Sequence, residues 1–281
     1  MKEVLFFAPQ KIEEALRLLA EYGEKATILS GGTDLVPKIN TYELKPEVLL
    51  YIGTLGLDYL KLEKGELVIS AATRTAKLAA DPWVAERATA LAEAARRTGC
   101  AATRNAATIG GNLANASPAA DLATPLLVMD AKLVLANALG KRVIDLKDFF
   151  VGPGKTVRRA DEIILEILLP PRKGQTVFLK LGRRKAMTLS VVNVAVRLDM
   201  IGRTCQEARI ALGSMAPTPL RCKKAEQILS GKLMSERLIT ECAEEAVAES
   251  HPIDDQRATA WYRKKAGTAL VSQALTQAAG M

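Results

Sequence analysis

The chain has 281 residues, of which 49% are hydrophobic, and it carries a net charge of +8 at pH 7. Hydrophobic content on this scale can form the cores of two or three packed units. Aromatic residues make up only 4% of the chain, too few for a surface that stacks single-stranded nucleic acid, so no nucleic-acid partner is expected. Charged residues interrupt the longest apolar runs and no secretory leader is recognisable, so we expect a cytoplasmic protein without a membrane span.

The N-terminal part of the chain predicts a strand, a helix, a second strand and a glycine turn. Hydrophobic spacing predicts these elements over residues 3–7, 10–22 and 26–29. The segment Ser30-Gly31-Gly32-Thr33 follows, and a helix is expected to begin at Asp34-Leu35. Consecutive glycines let main-chain N–H groups point into one concavity and let a phosphate approach the backbone. The sequence therefore predicts an anion site at this turn.

A second glycine pair lies in the middle of the chain. A strand is predicted over 48–52, a hairpin over 59–70, and helices over 75–80 and 82–98. Periodicity then disappears between residues 100 and 115, so we expect an irregular segment outside the core, containing Thr108-Ile109-Gly110-Gly111-Asn112. One glycine pair alone has roughly a one-in-ten chance of touching a phosphate. Two pairs of similar chemistry predict a diphosphate held from both sides.

The remaining chain predicts a helix, a strand-rich stretch and a helical C-terminus. The helix is expected to start near Ser117-Pro118. Strands are predicted over 131–136, 141–144, 162–169, 176–182, 190–199 and 204–213, and helices over 219–230, 235–248 and 256–278. The Pro-Pro-Arg-Lys-Gly run over 170–174 predicts a domain boundary. We therefore expect domains over 1–55, 56–173 and 174–281.

The residues that would carry chemistry also have simpler explanations. Asp121 suits a helix N-terminal acid as well as a ligand contact, and Asn112 and Asn115 suit turns. Lys180 lies on a predicted strand, where an isolated lysine usually points to solvent. No carboxylate pair at a spacing typical of hydrolysis and no activated nucleophile is recognisable, so if the protein is an enzyme, we expect a cofactor with a diphosphate to supply its reactive group.

The cysteines and the single histidine argue against metal and triad chemistry. Cys100, Cys205, Cys222 and Cys242 form no Cys-x-x-Cys pair and have no histidine at metal-ligand spacing. His251 precedes a proline in a predicted loop. We therefore predict buried reduced thiols, no metal site in this chain and no catalytic side chain.

A long run of sequence resembles one known family. The segment over 102–122, Ala-Thr-Arg-Asn-Ala-Ala-Thr-Ile-Gly-Gly-Asn-Leu-Ala-Asn-Ala-Ser-Pro-Ala-Ala-Asp-Leu, is similar to the signature of the FAD-binding (medium) subunit of molybdenum hydroxylases. That family includes the medium subunit of aerobic carbon monoxide dehydrogenase and the FAD domain of xanthine dehydrogenase. Residues 28–35, 161–165 and 255–263 extend the resemblance over nearly the whole chain. Residues 184–190 depart from the pattern of many relatives.

The resemblance implies an α+β chain with a vanillyl-alcohol-oxidase-type (PCMH) FAD-binding fold. Two α/β subdomains would hold FAD between them, followed by a C-terminal domain of a three-stranded antiparallel sheet with helices. The implied FAD-binding residues are Ile28, Leu29, Ser30, Gly31, Gly32, Thr33, Asp34, Leu35, Thr108, Ile109, Gly110, Gly111, Asn112, Asp121, Ile164 and Lys180.

The resemblance also implies an oxidoreductase that works as an electron-transfer subunit. Its partners would be a small iron–sulfur subunit with two 2Fe–2S clusters and a molybdopterin-binding large subunit, and its acceptor NAD or quinone. Two alternatives stay open. One is a free-standing FAD oxidoreductase of the same fold, similar to the enolpyruvyl reductase of cell-wall synthesis. The other is a basic nucleic-acid-binding or scaffold protein in which the glycine pairs are only turns.

Overall fold

The computed structural model describes residues 4–281, so Glu3, the first residue of the predicted N-terminal strand, lies outside the described residues. The chain begins with a small parallel sheet in the strand order β1-β3-β2. Its elements are β1 (Leu5–Phe7), α1 (Ile12–Tyr22), β2 (Ala26–Leu29), α2 (Leu35–Asn40) and β3 (Val48–Tyr51). Helix α1 is amphipathic, and its apolar side, which includes Ala15 and Leu19, packs toward the sheets.

The middle of the chain forms an antiparallel sheet in the order β4-β5-β10-β6-β7, with helices on one face. Its strands are β4 (Leu60–Glu63), β5 (Glu66–Ser70), β6 (Lys132–Asn137), β7 (Gly140–Asp145) and β10 (Ile163–Leu169). Between β5 and β6 come α3 (Thr75–Ala80), α4 (Pro82–Arg87), α5 (Thr89–Arg97), α6 (Ala101–Ala106), α7 (Ile109–Ala114) and α8 (Ala123–Val128). A separate short hairpin consists of β8 (Phe150–Gly152) and β9 (Lys155–Thr156).

Strand β10 explains how these two parts are joined. Ile163 and Leu165 face the core shared with α1, whereas Ile164 and Ile167 face the core built on the helices. A strand that is buried on both faces needs a nearly continuous apolar run rather than an alternating one, and β10 has one. The N-terminal sheet and the helical layer therefore lie on opposite sides of the central sheet.

The C-terminal part is an antiparallel sheet of three long strands covered by helices. The long strands are β11 (Gln175–Gly182), β12 (Ser190–Ile201) and β13 (Thr204–Gly213), and the two-residue strands β14 (Leu220–Arg221) and β15 (Lys232–Leu233) each pair with β13. The helices are α9 (Lys223–Leu229), α10 (Glu236–Ala248) and α11 (Ala260–Ala279). The predicted α/β parts and C-terminal sheet with helices are confirmed. The domain limits 1–55, 56–173 and 174–281 stay a prediction.

Four helix predictions are wrong in their limits, and two of them, over 219–230 and 256–278, begin four residues later than predicted, at Lys223 and Ala260. The helix expected over 82–98 is split into α4 and α5, because Ala88 between them, with φ −144° and ψ 55°, is not in the helical conformation. The helix expected from Ser117 begins only at Ala123, because the Ser117 hydroxyl and carbonyl form a local turn with residues 119 and 120. None of the helices within residues 4–281 is long and apolar enough to cross a membrane.

Candidate functional site

The first glycine segment connects β2 to α2. Ile28 and Leu29 end the strand, residues 30–34 form the connection, and Leu35 opens the helix. Gly32 has a φ of +69°, a backbone conformation that favours glycine. Within residues 4–281, the main-chain N–H groups of Gly31, Gly32 and Thr33 donate to no acceptor of the protein. This segment therefore has main-chain N–H groups that no acceptor in the described part of the protein uses, and the anion site predicted at this turn stays a prediction.

The second glycine segment has a different structure from the irregular loop that was expected. Thr108 caps α7, and its Oγ1 accepts a hydrogen bond of 3.2 Å from the N–H of Gly111. The N–H groups of Ile109 and Gly110 donate to the carbonyl groups of Thr73 and Ala71. The donors of this segment are thus used inside the protein.

The prediction that residues 100–115 lie outside the core is also wrong. Ile109 and Leu113 are fully buried, and α7 packs against β10. Gly110 lies against the backbone of Ala71 so closely that an added methyl group would overlap the carbonyl oxygen. Gly110 is therefore required for the packing of α7 against the residue after β5, whereas Gly111 is exposed.

The two segments meet, as the sequence predicted. The Thr108 hydroxyl donates to the Ser30 hydroxyl at 3.2 Å. Gly31 lies so close to the carbonyl of Ala106, at the end of α6, that a side chain there would overlap it. A third contact joins Asn115 to Asp34, with 3.2 Å between Nδ2 and Oδ2.

Sequence reasoning missed part of this junction. Lys38 in α2 donates to Oδ1 of Asn115 at 3.2 Å, which adds a second bond between α2 and the end of α7. Asn115 is therefore a bridge between the segments as well as the helix C-cap. The sequence signal was weak, since an exposed lysine and a loop asparagine are common on any surface.

Asn112 has an unsatisfied polar atom in this region. Its Oδ1 is buried and has no hydrogen-bond donor within residues 4–281. A buried acceptor without a partner costs about 1–3 kcal/mol. A bound molecule with a hydroxyl or N–H group would remove that cost.

Asp121 and Lys180 come together in a different place, where the helical layer meets the C-terminal sheet. Lys180 Nζ lies 2.5 Å from Oδ2 of Asp121, and both side chains are less than a tenth exposed. Burial raises the pKa of the Asp121 carboxyl, and Lys180 with the donors of Ser190 and Asn193 opposes that rise. The ion pair therefore joins β11 and β12 to the segment before α8.

The simpler explanations for these two residues are wrong. Lys180 does not point to solvent, because it also donates to the carbonyl of Arg97 at 3.2 Å. Asp121 is not in the first turn of a helix, since α8 begins two residues later.

Two further members of this network were not predicted. Ser190 Oγ donates to Asp121 at 2.6 Å, and Asn193 Oδ1 accepts a bond of 2.8 Å from Thr124. Asn193 is fully buried among the valines of β12. An asparagine within an apolar strand is the signal that could have identified it, because a buried amide needs partners.

Ile164 lies in a third place. It belongs to β10 and is buried in the same core cluster as Ile109 and Leu113. The predicted site residues therefore fall into the glycine junction, the core beneath α7, and the Asp121–Lys180 junction. An open groove of about 570 Å³ lies between α5, β11 and α11, and its lining includes Arg97 and Lys180 of the Asp121–Lys180 junction as well as Glu93 and Gln273.

Comparison with known families gives two matches that cover most of the chain. A model described as the FAD binding domain in molybdopterin dehydrogenase matches residues 2–172. A model described as the CO dehydrogenase flavoprotein C-terminal domain matches residues 177–278.

Individual proteins show the same relationship. The nicotinate dehydrogenase FAD-subunit of Eubacterium barkeri is 36% identical over 82% of this chain and 81% of its own length. The carbon monoxide dehydrogenase medium chain of Hydrogenophaga pseudoflava is 32% identical over 97% of this chain and 96% of its own. A solved structure of that carbon monoxide dehydrogenase superposes with a TM-score of 0.95, covering 98% of this chain and 97% of the other. This chain therefore belongs to the family of FAD-binding subunits of molybdopterin-dependent dehydrogenases, which are oxidoreductases, and its cofactor is FAD.

Proposed function

We propose that the chain holds FAD at the glycine junction and relays electrons from iron–sulfur clusters of a partner subunit to an external acceptor, NAD or quinone. The observation that carries this proposal is the meeting of residues 30–34 with residues 106–115. That junction combines free main-chain donors, on Gly31 to Thr33, with the unpaired Oδ1 of Asn112. Donors for phosphate and an acceptor for hydroxyl groups are the two polar needs of a dinucleotide.

The residues present fit FAD. Its diphosphate accepts hydrogen bonds, which suits the N–H groups of Gly31, Gly32 and Thr33. Its ribityl and ribose hydroxyls donate, which suits Asn112 Oδ1. When bound, the flavin can exchange single electrons with a cluster and an electron pair with the acceptor. The protein's part is to bind and orient the cofactor, which requires no catalytic side chain.

Asp121, Ile164 and Lys180 remain proposed cofactor contacts. Ile164 lies in the core layer next to α7, so it would act by packing. Lys180 reaches the carboxyl end of α5 through Arg97, and residues 99–100 then lead directly into α6 and the glycine junction. The buried pair would therefore support the far side of the cofactor pocket.

We further propose a heteromeric complex with two partner subunits. A small subunit would carry two 2Fe–2S clusters and a large subunit the molybdopterin. The names of similar proteins support this, since they include a medium chain and a FAD-subunit. The free cysteines of this chain suit a reducing compartment, so we place the complex in the cytoplasm.

Cofactor binding is tested first on the purified chain. We expect flavin absorbance at purification or after incubation with FAD, and a tenfold or greater loss of FAD affinity in Asn112→Leu, about the size expected for one buried hydrogen bond. Asn105→Leu, an exposed asparagine on α6, is the matched control. A chain that takes up no flavin, or equal affinities in all three proteins, would contradict the assignment.

The relay is tested on the complex. Removing FAD should leave reduction of the iron–sulfur clusters by substrate intact, while reduction of NAD or quinone stops and returns when FAD is added. Acceptor reduction at the full rate without FAD would exclude a relay through this chain.

A further inference from the structure

The C-terminal signature over 255–263 has a buried side that no cofactor role explains. Arg257 and Arg263 both pair with Asp255, at 2.6 and 2.7 Å. Partial burial acts to raise the pKa of Asp255, but hydrogen bonds from Arg257 and two main-chain N–H groups outweigh it and hold the pKa below its usual range. The carboxylate therefore fixes the start of α11.

The two arginines also fix this segment to the sheet. Arg263 is fully buried and donates to the carbonyl groups of Val191 and Ser214. Arg257 donates to the carbonyl of Ser190, whose hydroxyl binds Asp121. A surface segment held by two buried or half-buried arginines is rigid, so the side chains on its outer face are presented in one arrangement.

That outer face is apolar and exposed. Trp261 is 69% exposed and Ile253 66%, although both side chains are large and hydrophobic. Arg183 donates to the carbonyl of Gln256 at 3.1 Å and so connects this segment to residues 183–189, which expose further apolar side chains. We call the surface formed by these five exposed side chains the docking surface: Met187, Leu189, Ile253, Trp261 and Tyr262. Exposed Trp, Tyr and Met side chains are typical of the centres of protein interfaces.

The docking surface carries a surplus of positive charge. Residues 183–189 and 251–265 contain seven Lys and Arg and two Asp. Arg263 is buried and, with Arg257, pairs with Asp255, so the exposed charges are Arg183, Arg184, Lys185, Lys264 and Lys265 against Asp254, a net charge of +4. Lys264 and Lys265 are exposed beside Trp261. A rigid aromatic surface with this charge is complementary to an acidic protein face.

The docking surface lies close to the glycine junction. Met187 N–H donates to the carbonyl of Gly99 at 3.3 Å, two residues before α6 begins. The last residue of α6, Ala106, lies against Gly31. A six-residue helix is about 9 Å long, so one short helix separates the edge of this surface from the proposed diphosphate site.

We propose that the docking surface binds an acidic face of the iron–sulfur subunit; this rests on the proposed function. A 2Fe–2S cluster held by four thiolates is anionic, and the subunit that passes electrons to FAD must adjoin the cofactor pocket. The apolar side chains supply contact area, and the surrounding lysines and arginines supply attraction and orientation.

Zero-length cross-linking of the tagged, native complex tests the proposal. A carbodiimide joins lysine ammonium groups to carboxylates that touch them. We expect Lys185, Lys264 and Lys265 to cross-link to Asp or Glu of the iron–sulfur subunit, whereas Lys141 and Lys147 on the β6–β7 side do not. Cross-links from the three lysines to the large subunit or to a second copy, or none at all, would overturn it.

Matched variants separate docking from cofactor binding. Trp261→Ala with Lys264→Glu and Lys265→Glu should lower the iron-to-flavin ratio of the purified complex at least about tenfold while the flavin content per chain is unchanged. The control, Leu139→Ala with Lys141→Glu and Lys147→Glu, removes one exposed apolar side chain and reverses two lysine charges at the ends of β7, and should keep the ratio of the unaltered protein. Equal ratios in both variants would refute the docking surface. A chain without flavin, by contrast, would refute the proposed function itself.

Discussion

The buried Asp121–Lys180 pair allows one prediction to be worked out in magnitude. Replacing Lys180 by methionine keeps an unbranched side chain, one atom shorter, but leaves a buried carboxylate without its counter-ion. Both partners are less than a tenth exposed, so solvent screens the loss little, and breaking a buried pair costs about 3–5 kcal/mol. The lost bond to the Arg97 carbonyl adds about 1 kcal/mol. We expect the free energy of unfolding to fall by about 4–6 kcal/mol.

The loss should depend on pH with a definite sign. Burial already raises the pKa of Asp121 in the folded protein, and without Lys180 the pKa rises further. An acid with a raised folded pKa destabilises the protein as pH rises through the interval between its ordinary and raised values. The deficit of Lys180→Met should therefore be largest at neutral pH and shrink as acidification protonates Asp121.

The assay is urea unfolding of the FAD-free protein at several pH values. Adding Asp121→Asn to Lys180→Met should recover at least about 2 kcal/mol, because a neutral amide needs no counter-ion and can still accept from Ser190. Lys132→Met, an exposed lysine on β6, is the control and should change stability by less than about 0.5 kcal/mol. A deficit that does not vary with pH, or no recovery in the double variant, would refute the reasoning.

Three further outcomes follow from the contacts described above. Gly31→Ala should lower FAD affinity at least about tenfold, because the added methyl group must separate the two glycine segments. The control is Gly152→Ala, where a methyl group meets only ordinary contacts, and it should leave the dissociation constant of FAD unchanged. Equal FAD affinities in the two variants would show that the close approach of Gly31 to Ala106 is not required for binding. Thr108→Val removes the α7 cap and should cost about 1–2 kcal/mol in thermal unfolding, whereas a Tm equal to that of the unaltered chain would show that the cap contributes nothing. Because the pKa of Asp255 is lowered, its stabilising effect is present above the ordinary carboxyl pKa of about 4 and is lost as pH falls below it. The hydrogen-exchange protection factors of residues 254–262, measured against the intrinsic rate at each pH, should therefore fall below about pH 4. The same segment in Arg263→Met should have low protection factors at neutral pH too, and full protection in that variant would contradict the anchoring role.

The elements that the sequence predicted well are those whose pattern is local. Strand β12 and strand β10 were found from their apolar runs, and the turn before α2 from its glycine pair. The start of α8 was missed because Ser117 forms a local turn with residues 119 and 120, and within that turn the carbonyl of Pro118 accepts from the N–H of Ser214, almost a hundred residues later. The second of these bonds joins distant residues, so no local pattern contains it.

The candidate site divides in the same way. The junction of the two glycine segments followed from composition and order, because two glycine pairs of similar chemistry predicted one ligand held between them. That the N–H groups of the second segment bond inside the protein did not follow from this pattern. The environment of Lys180 could not be predicted, because its partner lies 59 residues away and only the folded interface brings them together. The packing role of Gly110 was equally hidden, since it depends on the backbone of β5 and the residue after it.

The polar network around Asp121 sets a condition on building hybrid subunits. A chimera that takes its first 173 residues from one relative and the remainder from another would combine an acid from one parent with the lysine, serine and asparagine of the other. If the two parents differ at these positions, an uncompensated charge or an unpaired amide would be buried at the interface between the two parts of the chain. Hybrids of these proteins should therefore take all five residues of the network from the same parent: Asp121, Thr124, Lys180, Ser190 and Asn193.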